Sequence, residues 1–147
     1  MEHLLKAILD FKGSAVHTIA PETTVLDAVG RMNEKGVGAL LVTDGDQPVG
    51  MFTERDVLRR VVDVRRDPSS TKVAEVMSRE LVVVHPEVTV EEAMAIMTER
   101  RCRHLPVIQD DDIVGMVSIG DLSRWMSRRQ ANHINDLMSY ITGKYPG

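Results

Sequence analysis

The chain has 147 residues, 43% hydrophobic and 27% charged, an ordinary globular balance that excludes disorder and collagen-like bias. Its net charge of −4 argues against a nucleic-acid scaffold, whose phosphate contacts need a basic surface. Apolar runs such as Ala39 to Val42 are too short to span a bilayer, no signal-peptide pattern opens the chain, and the lone Cys102 cannot form an intramolecular disulfide, so a cytoplasmic address is expected.

Leu4, Leu5, Ile8 and Leu9 recur at helical spacing and predict an amphipathic helix within residues 1–12, stopped by Gly13. Such a helix should dock, either on its own core or on a second subunit. Ala15 to Ile19 is β-prone and ends at Pro21. Thr24 and Asp27 have capping-box spacing, and Val25, Ala28, Val29 and Met32 share one face of the helix that follows, with Gly36 as its stop. Ala39–Thr43 and Val49–Phe52 read as a hairpin around Asp44-Gly45-Asp46-Gln47. A further helix from Thr53 or Glu54 places Val57, Leu58, Val61 and Val62 inward.

Residues 63–76, polar and interrupted by Pro68, read as a linker between a first half, 13–62, and a second, 77–127. The second half repeats the order: strand Leu81–Val84, a helix capped by Thr89 and Glu92 with Val90, Ala93, Met94 and Met97 on its face, and strands His104–Ile108 and Ile113–Val117 around Asp110-Asp111-Asp112. A last helix starts near Gly120, and residues 128–147 continue as a helical tail bearing Ile134, Leu137, Met138 and Ile141.

The order recurs because the sequence does. A 65-residue shift without gaps aligns positions 16–56 with 81–121 at 14 identities in 41, where composition alone gives about three. Each half alone would bury little apolar surface, so the two should depend on each other, and a cleft between related halves suits a small molecule.

Chemistry-bearing residues concentrate where Val49-Gly50-Met51-Phe52-Thr53-Glu54-Arg55-Asp56 returns as Val114-Gly115-Met116-Val117-Ser118-Ile119-Gly120-Asp121. A strand ends at a hydroxyl, a helix begins, and a carboxylate follows in its first turn. A hydroxyl at a helix N-terminus suits phosphate and a carboxylate suits ribose hydroxyls; equally, Thr53 and Ser118 can be N-caps with Asp56 and Asp121 as first-turn acids. Arg55 is open between a phosphate contact and a surface ion pair. Cys102 and His104, two apart, would share a strand face but lack a third catalytic group. The five histidines and one cysteine show no metal-ligand spacing, and there is no Gly-x-x-x-x-Gly-Lys-Ser/Thr loop or Gly-x-Gly-x-x-Gly turn. Binding without catalysis is the expectation.

The two Gly-apolar-apolar-Thr/Ser-x-x-Asp stretches, the apolar segments before Pro21 and Pro86, and Arg103-His104-Leu105-Pro106-Val107 resemble the tandem cystathionine β-synthase (CBS) domain pair over residues 13–127. The resemblance implies an α+β fold of two strand-helix-strand-strand-helix repeats about a pseudo-twofold axis, with extra terminal helices. It also implies a regulatory, non-enzymatic module, commonly a homodimer, signalling to an effector protein or through its own assembly. Its ligand would be an adenosyl compound: AMP, ADP, ATP, NAD or S-adenosylmethionine. Carried over, the resemblance places Asp56 and Asp121 on ribose and Thr53 and Ser118 near phosphate. It points further to His17, Thr18 and Ile19 in one half, and to Val82, Val83, Val84, Arg103, His104 and Pro106 in the other. Gly38, Ala39 and Leu41 stand where the second half has Arg103, His104 and Pro106, so the two sites should differ. A purely structural dimerisation module is the alternative.

Overall fold

The computed structural model describes residues 3–129; the tail expected over 128–147 lies outside the described residues beyond Arg129. The fold is α+β and duplicated. Its first half has β1 (Thr18–Ile19), α2 (Val25–Lys35), β2 (Ala39–Asp44), β3 (Gln47–Thr53) and α3 (Glu54–Asp56), which runs into a π-helix over Val57–Val62. The second has α5 (Val90–Arg100), β4 (His104–Gln109), β5 (Asp112–Ser118) and α6 (Ile119–Arg129). Two short helices precede the halves, α1 (Leu5–Lys12) and α4 (Val73–Val76).

The capping residues read from sequence do their work. Thr24 accepts the Asp27 N–H at 3.2 Å, and Thr89 and Glu92 form a reciprocal box at 3.0 and 3.2 Å, each satisfying helix-end donors that have no partner within the helix. Both hairpins are antiparallel and carry an irregularity at the same place, between Val42 and Thr43 and between Val107 and Ile108. The 65-residue repeat therefore extends to the details of strand register.

The lead-in helices are exchanged between halves. On the second half, the Leu5, Lys6 and Val90 N–H groups donate to Val88, Pro86 and His3 carbonyls at 2.9, 2.9 and 2.8 Å. On the first, the Val73, Ala74 and Val25 N–H groups donate to Thr23, Pro21 and Thr71 carbonyls at 2.8, 3.0 and 2.8 Å. So α1, which precedes the first half, covers the second, and α4, which precedes the second, covers the first. The apolar stripe of α1 thereby finds its own chain: Leu5, Ile8 and Leu9 join Val90, Met97, Leu105, Val117 and Leu122 in one core. Within the interval 63–76 read as a linker, Val73 and Val76 are buried with Val25, Met32, Leu40, Phe52 and Val61 in the other. A third, smaller cluster of Ala39, Leu41 and Met51, flanked by Leu81, Ile113 and Met116, joins the halves. Strand alternation explains the division, since Leu40 and Val42 face the first core while Ala39 and Leu41 face the neighbouring half.

Two local expectations are corrected. Leu81–Val84 is no strand; only Val84 bridges, in parallel, to Val107. In the first half the Leu41 N–H donates to the His17 carbonyl at 3.0 Å and helps β1 pair with β2. Its counterpart 65 residues on is Pro106, which has no N–H to give Val82. The other correction concerns the helix after Thr53. Val61 is buried, but Leu58 and Val62 are 64% and 60% exposed, because the small core receives only one row of that helix. The equivalent positions in the second half are Ser123 and Ser127, also exposed.

Candidate binding cleft between the halves

Each signature stretch folds into a hydrogen-bonded box. Asp56 Oδ2 accepts the Thr53 N–H at 2.9 Å and Thr53 Oγ1 accepts the Asp56 N–H at 3.3 Å. In the second half Asp121 Oδ2 accepts the Ser118 N–H at 2.8 Å and Ser118 Oγ accepts the Asp121 N–H at 3.1 Å. The carbonyls of Gly38 and Arg103 hold the next N–H groups, those of Glu54 and Ile119, at 3.0 and 2.9 Å. The hydroxyl and carboxylate are thus helix caps in both halves.

What surrounds the two boxes differs. Ser118 and Asp121 line a cavity of about 350 Å³ whose other walls include His17, Val37, Gly38 and Ala39 from the first half, with His104, Met116 and Arg124 from the second. That size is within the range of small-molecule pockets. Lys12, at the end of α1, reaches in: its Nζ stands 2.7 Å from Asp121 Oδ2 and 2.8 Å from the Met116 carbonyl. Arg124, one turn beyond Asp121, donates to Oδ1 at 2.8 Å. Asp56 instead is buried beside Arg60, whose Nε is 3.8 Å from Oδ1. Near that box the chain after α4 is zipped onto β3, with Met51 and Ser78 exchanging N–H···O bonds of 2.9 Å in both directions.

These surroundings move the two aspartates in opposite directions. Burial pushes the Asp56 carboxyl above its ordinary value, against the Thr53 N–H and Arg60. Burial also acts on Asp121, but the Lys12 hydrogen bond and charge and the Ser118 N–H outweigh it and hold that carboxyl below its ordinary value. Burial lowers His104, opposed by Asp121 and Glu54, which favours a neutral imidazole facing the cleft.

The cleft therefore brings together His17, His104, Ser118 and Asp121. Thr53 and Asp56 stand outside its lining, as does the exposed Arg55. Thr18 is half-buried beside His17, and Ile19 belongs to the first core. Val84 is in the second core with Val82 packed against it, while Val83 is 45% exposed. Arg103 is exposed, and Pro106 is buried opposite Met116. Cys102 precedes β4 rather than lying on it, packs against the second core, and has its thiol pushed up by burial, away from the reactive thiolate. Among the described residues no group of three or more His, Cys, Asp or Glu is placed to hold a metal.

Sequence reasoning missed Lys12 and Arg124. A lysine closing a helix reads as an ordinary complement to the helix dipole. Arg124 carries a weak signal, its three-residue spacing from Asp121, which is that of a surface ion pair.

A duplicated α+β half, each copy ending a hairpin in the same helix-capping box, defines a tandem-repeat module with a cleft between its halves. The chain belongs to the CBS domain family, whose profile matches residues 10–63 and 73–128. It is 43% identical over 129 residues to the CBS domain-containing protein CBSX3, mitochondrial, of Arabidopsis thaliana, covering 84% of this chain but 63% of that protein's length. The CBS domain-containing protein YhcV of Bacillus subtilis is 34% identical over 119 residues, with 81% and 84% of the two chains covered. Among solved structures, a protein with CBS domains from Burkholderia ambifaria matches at TM-score 0.84 and 42% identity, covering 86% of this chain and 96% of that one. Among the described residues no helix is long and apolar enough to cross a membrane.

Proposed function

We propose that the chain binds an adenine nucleotide in the cleft at Ser118 and Asp121 and acts, without catalysis, as a cytoplasmic regulatory module on an effector protein or on its own assembly. The observation that carries this is the convergence of His17 from one half with His104, Ser118 and Asp121 from the other around one cavity of about 350 Å³. A carboxylate there accepts ribose hydroxyls, and a neutral imidazole offers a flat face to a base. Because both halves contribute walls, a bound ligand favours one arrangement of the halves by its differential affinity. The Thr53–Asp56 box, beside the zipped Met51–Ser78 pair, serves chiefly as a cap, so one site dominates. Titration calorimetry with AMP tests this: binding near one equivalent per chain that Asp121→Ala abolishes and Asp56→Ala preserves is expected, and the reverse pattern contradicts the assignment.

A second reading, dimerisation, has its own observation. Leu58 and Val62 are exposed where the second half carries Ser123 and Ser127, and Val64, two residues on, is 56% exposed. We propose that this face pairs with a second copy of the chain, as an addition to ligand binding rather than its replacement.

A further inference from the structure

The cleft's charge bears on which adenosyl ligand it takes, an inference that rests on the reading of the cleft as an adenosyl site. Its lining carries two permanent cations, Lys12 and Arg124, against one carboxylate, Asp121. Asp121 already accepts from three donors: Lys12 Nζ and the Ser118 N–H are on Oδ2 at 2.7 and 2.8 Å, and Arg124 is on Oδ1 at 2.8 Å. The Asp121 side chain is only 11% exposed, and those of Lys12 and Arg124 are 32% and 74% exposed. A ribose diol brings two more donors to a carboxylate with about four acceptor positions, so one of the three present must leave. The Ser118 N–H is backbone and Arg124 holds the otherwise unshared Oδ1, whereas Lys12 crowds Oδ2 beside that N–H on a flexible stem, so the lysine is the donor displaced.

Displacement has a consequence for the rest of the ligand. An ammonium taken off a buried carboxylate loses a charge-assisted hydrogen bond and needs another anion. A neutral nucleoside offers none. A sulfonium on the ribose 5′ carbon adds a third cation beside Lys12 and Arg124, and the carboxylate of such a ligand lies beyond three further carbons, away from the 5′ position. A 5′-phosphate supplies the missing anion within the same ligand. We propose that Lys12 makes this cleft selective for phosphate-bearing adenosyl ligands, its ammonium passing from Asp121 to the phosphate as the ribose hydroxyls take the carboxylate, with Arg124 holding the second carboxylate oxygen throughout.

Lys12 thereby both opposes and rewards binding, which gives the proposal a signature that simple attraction lacks. Replacing it removes a competitor for Asp121 as well as a phosphate partner, so AMP and adenosine should respond differently. The test is calorimetric titration of AMP, adenosine and S-adenosylmethionine into the wild-type chain, Lys12→Met and Lys12→Arg. Lys12→Met is expected to lower the AMP-to-adenosine affinity ratio by about tenfold or more without weakening adenosine, while Lys12→Arg keeps the ratio. S-adenosylmethionine should bind more weakly than AMP to the wild type.

An unchanged ratio in Lys12→Met, equal losses for AMP and adenosine, or a preference for S-adenosylmethionine overturns the proposal while leaving an adenosyl site in place. Failure of all three compounds to bind the wild type overturns the site reading as well. Folding of the variants is checked by fluorescence of Trp125, which packs edge-on against Phe11 of α1 with ring centroids 6.3 Å apart. If Lys12→Met does not fold, the salt dependence of the wild type decides: AMP affinity should fall with ionic strength while adenosine affinity does not, and equal slopes overturn the proposal.

Discussion

Lys12 and Asp121 stand 2.7 Å apart, joining the end of α1 to the start of α6. The equivalent carboxylate in the other half, Asp56, meets Arg60 of its own helical segment at 3.8 Å. Duplication has kept the capping box in both halves, and the chain outside the boxes has made the two carboxylates electrostatically different.

That difference is measurable by pH. Both carboxyls have an ordinary value of 3.8, from which Asp121 is lowered and Asp56 raised. The stability that ionised Asp121 contributes is present above its unfolded value and is lost as pH falls through its folded one. For Asp56 the sign is opposite: its contribution is full below the unfolded value and is lost as pH rises through the folded one. Carboxyl NMR titration should give two midpoints on opposite sides of 3.8. At neutral pH, Asp121→Asn should cost about 1 kcal/mol, and Asp56→Asn should cost less, because it removes a buried charge while an amide oxygen still accepts from Thr53.

The two signature glycines should also respond unequally to alanine. A Cβ at Gly50 would lie 2.7 Å from Met77 Sδ and 2.7 Å from the Ser78 carbonyl, whereas one at Gly115 would meet Leu9 Cδ2 at 2.6 Å. Leu9 is a side chain that can turn aside. Ser78 is backbone, bonded in both directions to Met51. Gly50→Ala is expected to cost about 2–3 kcal/mol and Gly115→Ala about 1 kcal/mol by denaturant unfolding; equal costs contradict this packing account.

Helix ends supply a stabilising change. Gly36 closes α2 with φ 66° and Arg101 closes α5 with φ 54°, the left-handed conformation that strains any residue with a Cβ. Arg101→Gly should therefore stabilise the chain by about 0.5–1 kcal/mol, and Gly36→Ala should destabilise it by a similar amount, read as shifts in the denaturant midpoint.

Much of this fold was legible because its devices are local. Thr24, Thr89, Gly36 and the two hairpin turns act within a few residues of themselves, and the 65-residue repeat gave each reading a second chance. What was not legible depends on partners distant in sequence. The stripe on α1 shows that the helix docks, but its burial against Leu105 and Leu122 follows from the exchange of lead-in helices. The second half's missing strand was written at Pro106, yet its meaning needs the Leu41–His17 bond for comparison. Of the cleft's lining, Ser118, Asp121, His17 and His104 were named from the sequence, while Lys12 was not, because it reaches Asp121 across 109 positions.

Homodimerisation through the Leu58 face gives a further expectation. Leu58→Ser with Val62→Ser copies the second half's own residues at solvent-exposed positions, so folding should be retained within about 0.5 kcal/mol. Sedimentation velocity should show a dimer for the wild type at micromolar concentration and a monomer for the double variant. A wild-type monomer, or a variant that remains dimeric, contradicts pairing through this face.

The most direct test of the central claim is thermal unfolding of the purified chain with AMP, ADP, ATP, NAD, S-adenosylmethionine and guanine nucleotides, alongside Asp56→Ala and Asp121→Ala. A ligand specific to the folded state adds about 2.7 kcal/mol at one hundred times its dissociation constant, a clear rise in Tm. That rise is expected with a phosphate-bearing adenine compound, retained in Asp56→Ala and lost in Asp121→Ala. No rise with any of them would contradict it and leave the chain a structural pairing module.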